Sequence, residues 1–291
     1  MGKITEKQLE EGIDELLSKL NSKQRLVVTN RYGLNGKKGK TLESIGEDLG
    51  VSRERIRQIE QSAINLLRKS KKSRELEGVL NFIEQELFNN GGFLDRQGFK
   101  KIIFAGELNN INKNKLAFLL NSSAKLKYQK DSVAFSGVWY LIKYKKEAAR
   151  AKKFHGELVK YFRKNKEVKT IGELLNLITV DNFPPEMVKF FSGENKKNRL
   201  KIILRGSRII GKNIMNEWGL NSWAMISQKY AREKAFLILR KYQKPLHFRE
   251  LTEYINKHWQ DRKTLPQTVH NVIIKYDEFV FVRSGTYRLK I

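Results

Sequence analysis

The stretch NSKQRLVVTNRYGLNGKKGKTLESIGEDLGVSRERIRQIEQSAINLLRK, residues 21–69, sets the reading of the chain. A helix begins at Ser52 and runs to Lys69, and its apolar residues Ile56, Ile59, Ala63, Leu66 and Leu67 fall on one face at helical spacing. That face must pack on the segments before it, a helix over 22–32 ended by Gly33 and a helix over 41–49, with Gly50 and Val51 as the turn. The opposite face is then forced outward. It carries Arg53, Glu54, Arg57, Gln58 and Gln61, with Arg55 to one side. Arg can grip guanine through two hydrogen bonds, Gln can pair with adenine and Glu can accept from cytosine, so these types suit the edges of base pairs. Ser52 is placed as an N-cap, and Arg55 stands where a capping box would have Glu, which leaves the first turn open to a phosphate. A solvated, charged helix face is the plainer alternative.

The wider segment decides between these readings. Arg31-Tyr32-Gly33-Leu34 closing a helix, a short polar loop, Thr41 to Gly46, the run Gly50 to Glu60 and an Ala/Leu-rich tail together resemble region 4 of the sigma-70 family. The resemblance implies a helix-turn-helix in which Arg53, Glu54, Arg55, Arg57 and Gln58 read the minus-35 promoter element. It places Arg25, Arg31, Thr41 and Leu42 near the DNA backbone, and the helix 23–32 on the beta-flap of RNA polymerase. A sigma factor also needs an aromatic- and basic-rich helical domain ahead of region 4, yet only some twenty residues precede it. The expectation is therefore a sequence-specific, double-stranded-DNA-binding transcription regulator built on a promoter-reading module. A polymerase-associated accessory subunit is the alternative, and a restriction or nuclease accessory a weaker one.

Charge agrees with a polyanionic partner. The 291 residues hold 58 Lys and Arg against 31 Asp and Glu, a formal net charge of +27. The charge is patterned: residues 53–74 carry eight basic residues against two Glu, and residues 143–214 nineteen against seven acids. Lys69, Lys71 and Lys72 in the run KSKKSR are candidates for phosphate contact. Cysteine is absent, which excludes disulfides and thiolate metal sites, and the four histidines are scattered, so neither metal nor cofactor is expected. No run of eighteen apolar residues and no signal-peptide core occurs, so the expected location is the cytoplasm, on the nucleoid, with no membrane partner.

Beyond residue 72 the pattern is mainly α with short hairpins. Three helices near 75–89, 95–105 and 112–122, then the strand-like runs AKLKYQK and SVAFSGVWYL, give the order of a winged helix over 75–142. Residues 143–229 open on a basic helix, 143–166, and pass through TIGELLNLI, a Pro184-Pro185 break and the apolar run LKIIL; a further winged-helix-like unit is one reading. Residues 230–291 show three helices and two strands around Ser284-Gly285. The Ala235, Leu239, Pro245-Leu246-His247-Phe248, Thr268-Val269-His270-Asn271 and Phe279-Val280 marks resemble the HARE-type helix-turn-helix, also the folded part of the RNA polymerase delta subunit. The upstream Glu217-Trp218-Gly219-Leu220 and Trp223 resemble sigma-region-4 proteins that carry this tail. In the C-terminal segment, His270, Asn271, Lys275, Arg283 and Arg288 are candidate DNA contacts, while His247 is expected to be a cap or a packing residue, not a catalyst. The fold class is thus tandem helix-turn-helix and winged-helix domains over 1–72, 75–142, 143–229 and 230–291.

Two enzymatic readings fail on spacing. GLNGKKGKT has one residue too many for a phosphate-binding loop and follows a helix. Asp131 with Glu167-Val168-Lys169 only faintly resembles a metal-nuclease core, which needs carboxylates converging on one ion. A nonenzymatic protein is expected.

Overall fold

The computed structural model describes residues 6–105, 112–179, 183–193 and 195–290. Helix α1 (Glu6–Ser18) buries Leu9, Ile13, Leu16 and Leu17, with Leu20 just past its end, as the spacing requires. Helix α2 (Ser22–Tyr32) starts in a capping box between Asn21 and Gln24 and stops at Gly33 in the left-handed region. Helices α3 (Leu42–Leu49) and α4 (Arg53–Lys69) are capped by Thr41 and Ser52, whose side chains accept from the Ser44 and Arg55 amides at 3.1 and 3.2 Å. Gly50 takes φ +63 between them, and a Cβ on Gly46 would stand 2.6 Å from the Val51 carbonyl oxygen. The tight turn therefore needs glycine at both positions.

Helix α5 (Arg74–Asn89) follows α4 after four residues, and the basic run between them is tied to its surroundings. Lys72 donates to the Leu67 carbonyl at 3.3 Å, and Lys19 donates to the Lys71 carbonyl. A short strand β1 (Phe93–Asp95), helices α6 (Arg96–Ala105) and α7 (Lys113–Asn121), and strands β2 (Leu126–Gln129) and β3 (Val138–Leu141) complete a three-stranded antiparallel sheet in the order β1-β3-β2. One short 3₁₀ turn leads into α8 (Lys145–Asn165), the 21-residue basic helix.

The same order returns twice. After α8, Lys169 forms an isolated antiparallel bridge to Trp218, and the chain continues through α9 (Ile171–Thr179), α10 (Pro185–Phe190), α11 (Lys196–Gly206) and the hairpin β4 (Ile210–Lys212) with β5 (Trp218–Leu220). After α12 (Ala231–Tyr242), strand β6 (Leu246–His247) pairs with β8 (Thr286–Leu289), which pairs with β7 (Phe279–Arg283), while α13 (Phe248–His258) and α14 (Pro266–Lys275) lie between in sequence. Each time the first, isolated strand pairs with the last one, the topology of a winged helix. The fold is mainly α, with short antiparallel hairpins.

The chain divides into two compact units, 1–132 with 136–151, and 133–135 with 152–291. The first holds both segments expected on either side of residue 72. Tyr32 sits edge-on to Phe118 at 5.6 Å and Arg68 donates to the Asn121 carbonyl at 3.0 Å, so the helix-turn-helix and the following segment share packing. In the second unit, Glu217 is buried, accepts two hydrogen bonds from Arg240 at 3.0 and 2.9 Å and a third from Asn213, and so fastens the β4–β5 hairpin to α12.

One expected core residue is displaced. Leu66 is 40% exposed, and Ile64, on the opposite flank of the α4 stripe, is buried in its place. Both positions lie at the edge of the apolar arc, about 80° from its centre at 100° per residue, where the neighbouring helices and not the period decide which is covered.

His155 on α8 is 3% exposed, with Nε2 2.7 Å from the Ser207 hydroxyl. That hydroxyl already accepts the Ile209 and Ile210 amides at 3.1 and 2.8 Å, so its hydrogen goes to Nε2 and the imidazole is neutral. Burial pushes the His155 pKa down to about 4. An unfolded His titrates near 6.5. The folded state resists protonation, so the stability this neutral ring supports is complete above pH 6.5 and is lost as the pH falls toward about 4. Thermal unfolding of the second unit is expected to drop over that window, and His155→Gln, which can still accept from Ser207, is expected to flatten the drop. Equal pH slopes in the two proteins would contradict the buried neutral ring.

Candidate nucleic-acid interface

The α4 surface is set by what its other side buries. Ile56 and Ile59 join Val27 and Ile45 in one core, with Leu42, Leu49 and Val51 packed against it. Arg53, Glu54, Arg55, Arg57, Gln58 and Gln61 are all exposed on the remaining face. They form a set of paired groups. Glu54 accepts from Arg57 Nε and Nη2 at 2.8 and 2.7 Å, Arg55 donates to Gln58 at 3.2 Å, and Arg53 lies 3.9 Å from Glu43 of α3. The guanidinium of Arg57 holds the Glu54 carboxyl below the usual range, through its hydrogen bond first and its charge second. Gln61 donates to Asn65 at 3.1 Å, and Asn65 also accepts from Arg68. The outer face is thus laid out as donors and acceptors held in order but open to solvent, where such pairs are individually weak and exchangeable.

The residues expected near a DNA backbone divide by what they already hold. Arg25 is exposed and makes no ion pair among the described residues. Arg31 is committed: Nη1 donates to the Lys40 carbonyl at 2.8 Å and Nε lies 3.6 Å from Glu60. The exposed Thr41 hydroxyl accepts the Ser44 amide as the α3 cap, and Leu42 is half-buried, packed against the core. Lys69 and Lys71 are exposed. Lys72 is half-buried on the α4 terminus, and that burial pulls its pKa below the ordinary lysine value.

Glu60 is the residue the sequence reading passed over. It lies toward the apolar arc of α4, meets Arg31, and receives the Tyr32 hydroxyl; burial first and the Glu60 charge second raise the Tyr32 pKa above its ordinary value. Together with Gln24 donating to Ser62 at 3.3 Å, it locks α2 to α4. An acid lying toward the buried side of an otherwise basic helix was the available signal.

In the C-terminal segment the candidates scatter. His270 is half-buried, tilted on Phe248 at 4.5 Å and edge-on to Tyr287 at 6.2 Å, so it packs instead of projecting. Asn271 is exposed and accepts from Gln267 at 2.9 Å. Lys275 is exposed beside the Tyr276 ring, Arg283 is exposed on β7, and Arg288 donates to the Leu289 carbonyl at 3.1 Å. His247 caps α13, its Nδ1 accepting from the Arg249 amide at 3.3 Å. Of the two nuclease-like fragments, Asp131 accepts from Tyr128 and the Gly137 amide within its own hairpin, and Glu167 pairs with Lys169 at 2.7 Å. Each holds local structure.

The sequence profile of the family described as sigma-70, region 4 matches residues 16–69. Residues 16–69 are a sigma-70 region 4. The RNA polymerase sigma factor sigB of Arabidopsis thaliana is 39% identical over 72 residues, 25% of this chain and 13% of that protein. The sigma factor RpoD of Helicobacter pylori is 41% identical over 78 residues, 26% of this chain and 12% of the relative. The sigma factor SigA of Listeria monocytogenes is 39% identical over 72 residues, 25% and 19% of the two chains. The chain therefore spans less than a fifth of the length of these relatives. No solved structure matches it. No helix of the described residues is long and apolar enough to cross a membrane.

The Ser52 cap holds the first turn of α4, from which Arg53 and Arg55 project, with Arg57 just beyond it. Ser52→Ala is expected to cost about 1 kcal/mol of local stability. Amide exchange in that turn should speed up while α5 is unchanged. Unaltered exchange would mean that tertiary packing alone fixes the turn.

Proposed function

We propose that the chain is a sequence-specific duplex-DNA-binding transcription regulator whose sigma-70 region 4 reads base edges in the major groove through α4. The observation that carries this is the exposed Arg53, Glu54, Arg55, Arg57, Gln58 and Gln61 face on a helix whose other side is packed into the helix-turn-helix core. The three sigma factors similar over this segment support the choice of DNA as partner. Base contacts select the sequence, and Lys69, Lys71 and Arg25 supply phosphate contacts that position the helix. Arg31 acts at one remove, by holding α2, the loop and α4 together. No enzymatic step belongs to this reading. The four-part organisation 1–72, 75–142, 143–229 and 230–291, with a HARE-type last part, is part of the same proposal; the three occurrences of the winged-helix strand order support its last three parts.

A second reading, docking on RNA polymerase, is favoured by one observation. Leu26 on α2 is 45% exposed beside exposed Lys23 and Arg25, an apolar residue displayed on the helix for which the flap contact is expected.

Arg57→Ala and Gln58→Ala are each expected to lower the preference for a selected site over random duplex by roughly tenfold. Lys69→Ala and Lys71→Ala should weaken binding to both DNAs in the same proportion. Should all four variants lose affinity for the two DNAs in one ratio, α4 does not read bases. For the second reading, Leu26→Glu should abolish co-purification with polymerase and leave DNA binding intact; retained polymerase would exclude the α2 contact.

A further inference from the structure

The part of α8 in the second unit carries a surface that the region 4 reading leaves unused. Its buried side is Phe154, His155, Leu158, Val159 and Phe162. On the opposite side, Lys152, Lys153, Lys160, Arg163 and Lys164 are exposed, and Gly156 lies among them at helical spacing. The face is nearly of one sign. Lys153 pairs with Glu186 and Lys160 with Glu157, the latter at 2.9 Å, while Lys152, Arg163 and Lys164 make no ion pair among the described residues. Like charges four residues apart on a helix, as at Lys160 and Lys164, work against it.

Two features say what such a face fits. The first is its chemistry: α8 itself contributes no aromatic or large apolar side chain there, and Trp223 and Met225 meet the face only at its Arg163 end, where they share a cleft with that residue. Single strands are held on aromatic platforms, and protein interfaces concentrate aromatic residues and avoid Lys, so both are poorly served here. A row of cations without such anchors suits the evenly charged backbone of a duplex. The second is Gly156. Glycine is the poorest helix former after proline, yet this one is in mid-helix, and a Cβ there would meet nothing within 4 Å. No internal packing calls for it. Its effect is to leave the helix backbone bare in the middle of the cationic face, where an extended ligand could approach it most closely.

We propose that the outer face of α8 over Lys152, Gly156, Lys160, Arg163 and Lys164 is a second duplex-DNA surface that binds the phosphate backbone without regard to sequence. It rests on the reading of the chain as a DNA-binding protein, but it assigns affinity to a different element from the one that selects the site.

The test uses the full chain with Lys152, Arg163 and Lys164 changed together to Gln, beside a control in which exposed Lys257, Arg262 and Lys263 are changed to Gln for the same loss of charge. Binding to a preferred and a random duplex is measured over a range of salt. The α8 variant is expected to show a plot of log affinity against log salt that is shallower by roughly 2 to 3, about 0.9 per phosphate contact removed, with its preference ratio unchanged. The control should keep the parent slope. Gly156→Gln should raise the melting temperature, by restoring a helix former, and yet weaken binding to both duplexes severalfold. Equal slope losses in the α8 and control variants would overturn the proposal, since the overall field and not this face would be acting. An unchanged α8 slope, or undiminished binding by Gly156→Gln, would overturn it as well. The α4 reading fails separately: a parent chain without sequence preference that still loses slope in the α8 variant retains this surface and loses that reading.

Discussion

One face of α4 can be buried only if α2 and α3 lie across it, and most of the first segment follows from that packing. Ile56 and Ile59 complete a core with Val27 and Ile45, and the turn that brings α3 against α4 leaves no room for a side chain at Gly46 and requires a left-handed residue at Gly50. Once that side is closed, the polar residues at the intervening positions have nowhere to go but outward. The Arg31–Glu60–Tyr32 cluster then fixes α2 on α4 at the polar margin of the same packing. Electrostatics of the exposed pairs adds little to stability, since Arg57 with Glu54 and Arg55 with Gln58 sit in solvent. Their order matters for readiness: the side chains are held by partners that a base edge could replace.

In the proposed reading, affinity and selection have different physical sources. Bidentate contacts from a few α4 side chains distinguish bases, whereas phosphate neutralisation is additive, sequence-blind and steeply dependent on salt. A chain with a formal net charge of +27 has far more cation than a single recognition helix needs. The C-terminal segment contributes differently, for its third helix α14 shows only Lys275 as a cation and leaves Ile274 60% exposed, with Phe281 also 60% exposed on β7.

Much of this was legible in the residues. The approximate bounds of α2, α3 and α4, the Ser52 cap and the outward set on α4 all follow from periodicity and capping, because a short helix-turn-helix is governed by local rules; the Asn21 and Thr41 caps were not read. Legibility fell where tertiary contacts decide. Ile64 and Leu66 flank the stripe symmetrically, and only the neighbouring helices choose between them. Over residues 143–229 a winged-helix-like order was only one reading, because β4 and β5 are three residues each and the first strand is reduced to the Lys169–Trp218 bridge, too short for alternation to register. Pro184 and Pro185 split what precedes α11 into α9 and the six-residue α10. Among single residues, Lys72 and His270 read as surface groups, and both spend their side chains on packing: one closes the end of α4, the other packs tilted against Phe248.

The most direct measurement selects duplexes from a random pool with the full chain and maps the retained site by methylation interference. Methylation at guanine N7 blocks the major groove, where α4 is proposed to lie. The account predicts a short recovered motif in which methylation of a few clustered guanines abolishes binding, and loss of that motif when Arg57 is replaced by Ala. Recovery of unselected sequence, or a motif insensitive to major-groove methylation, would contradict base reading by α4.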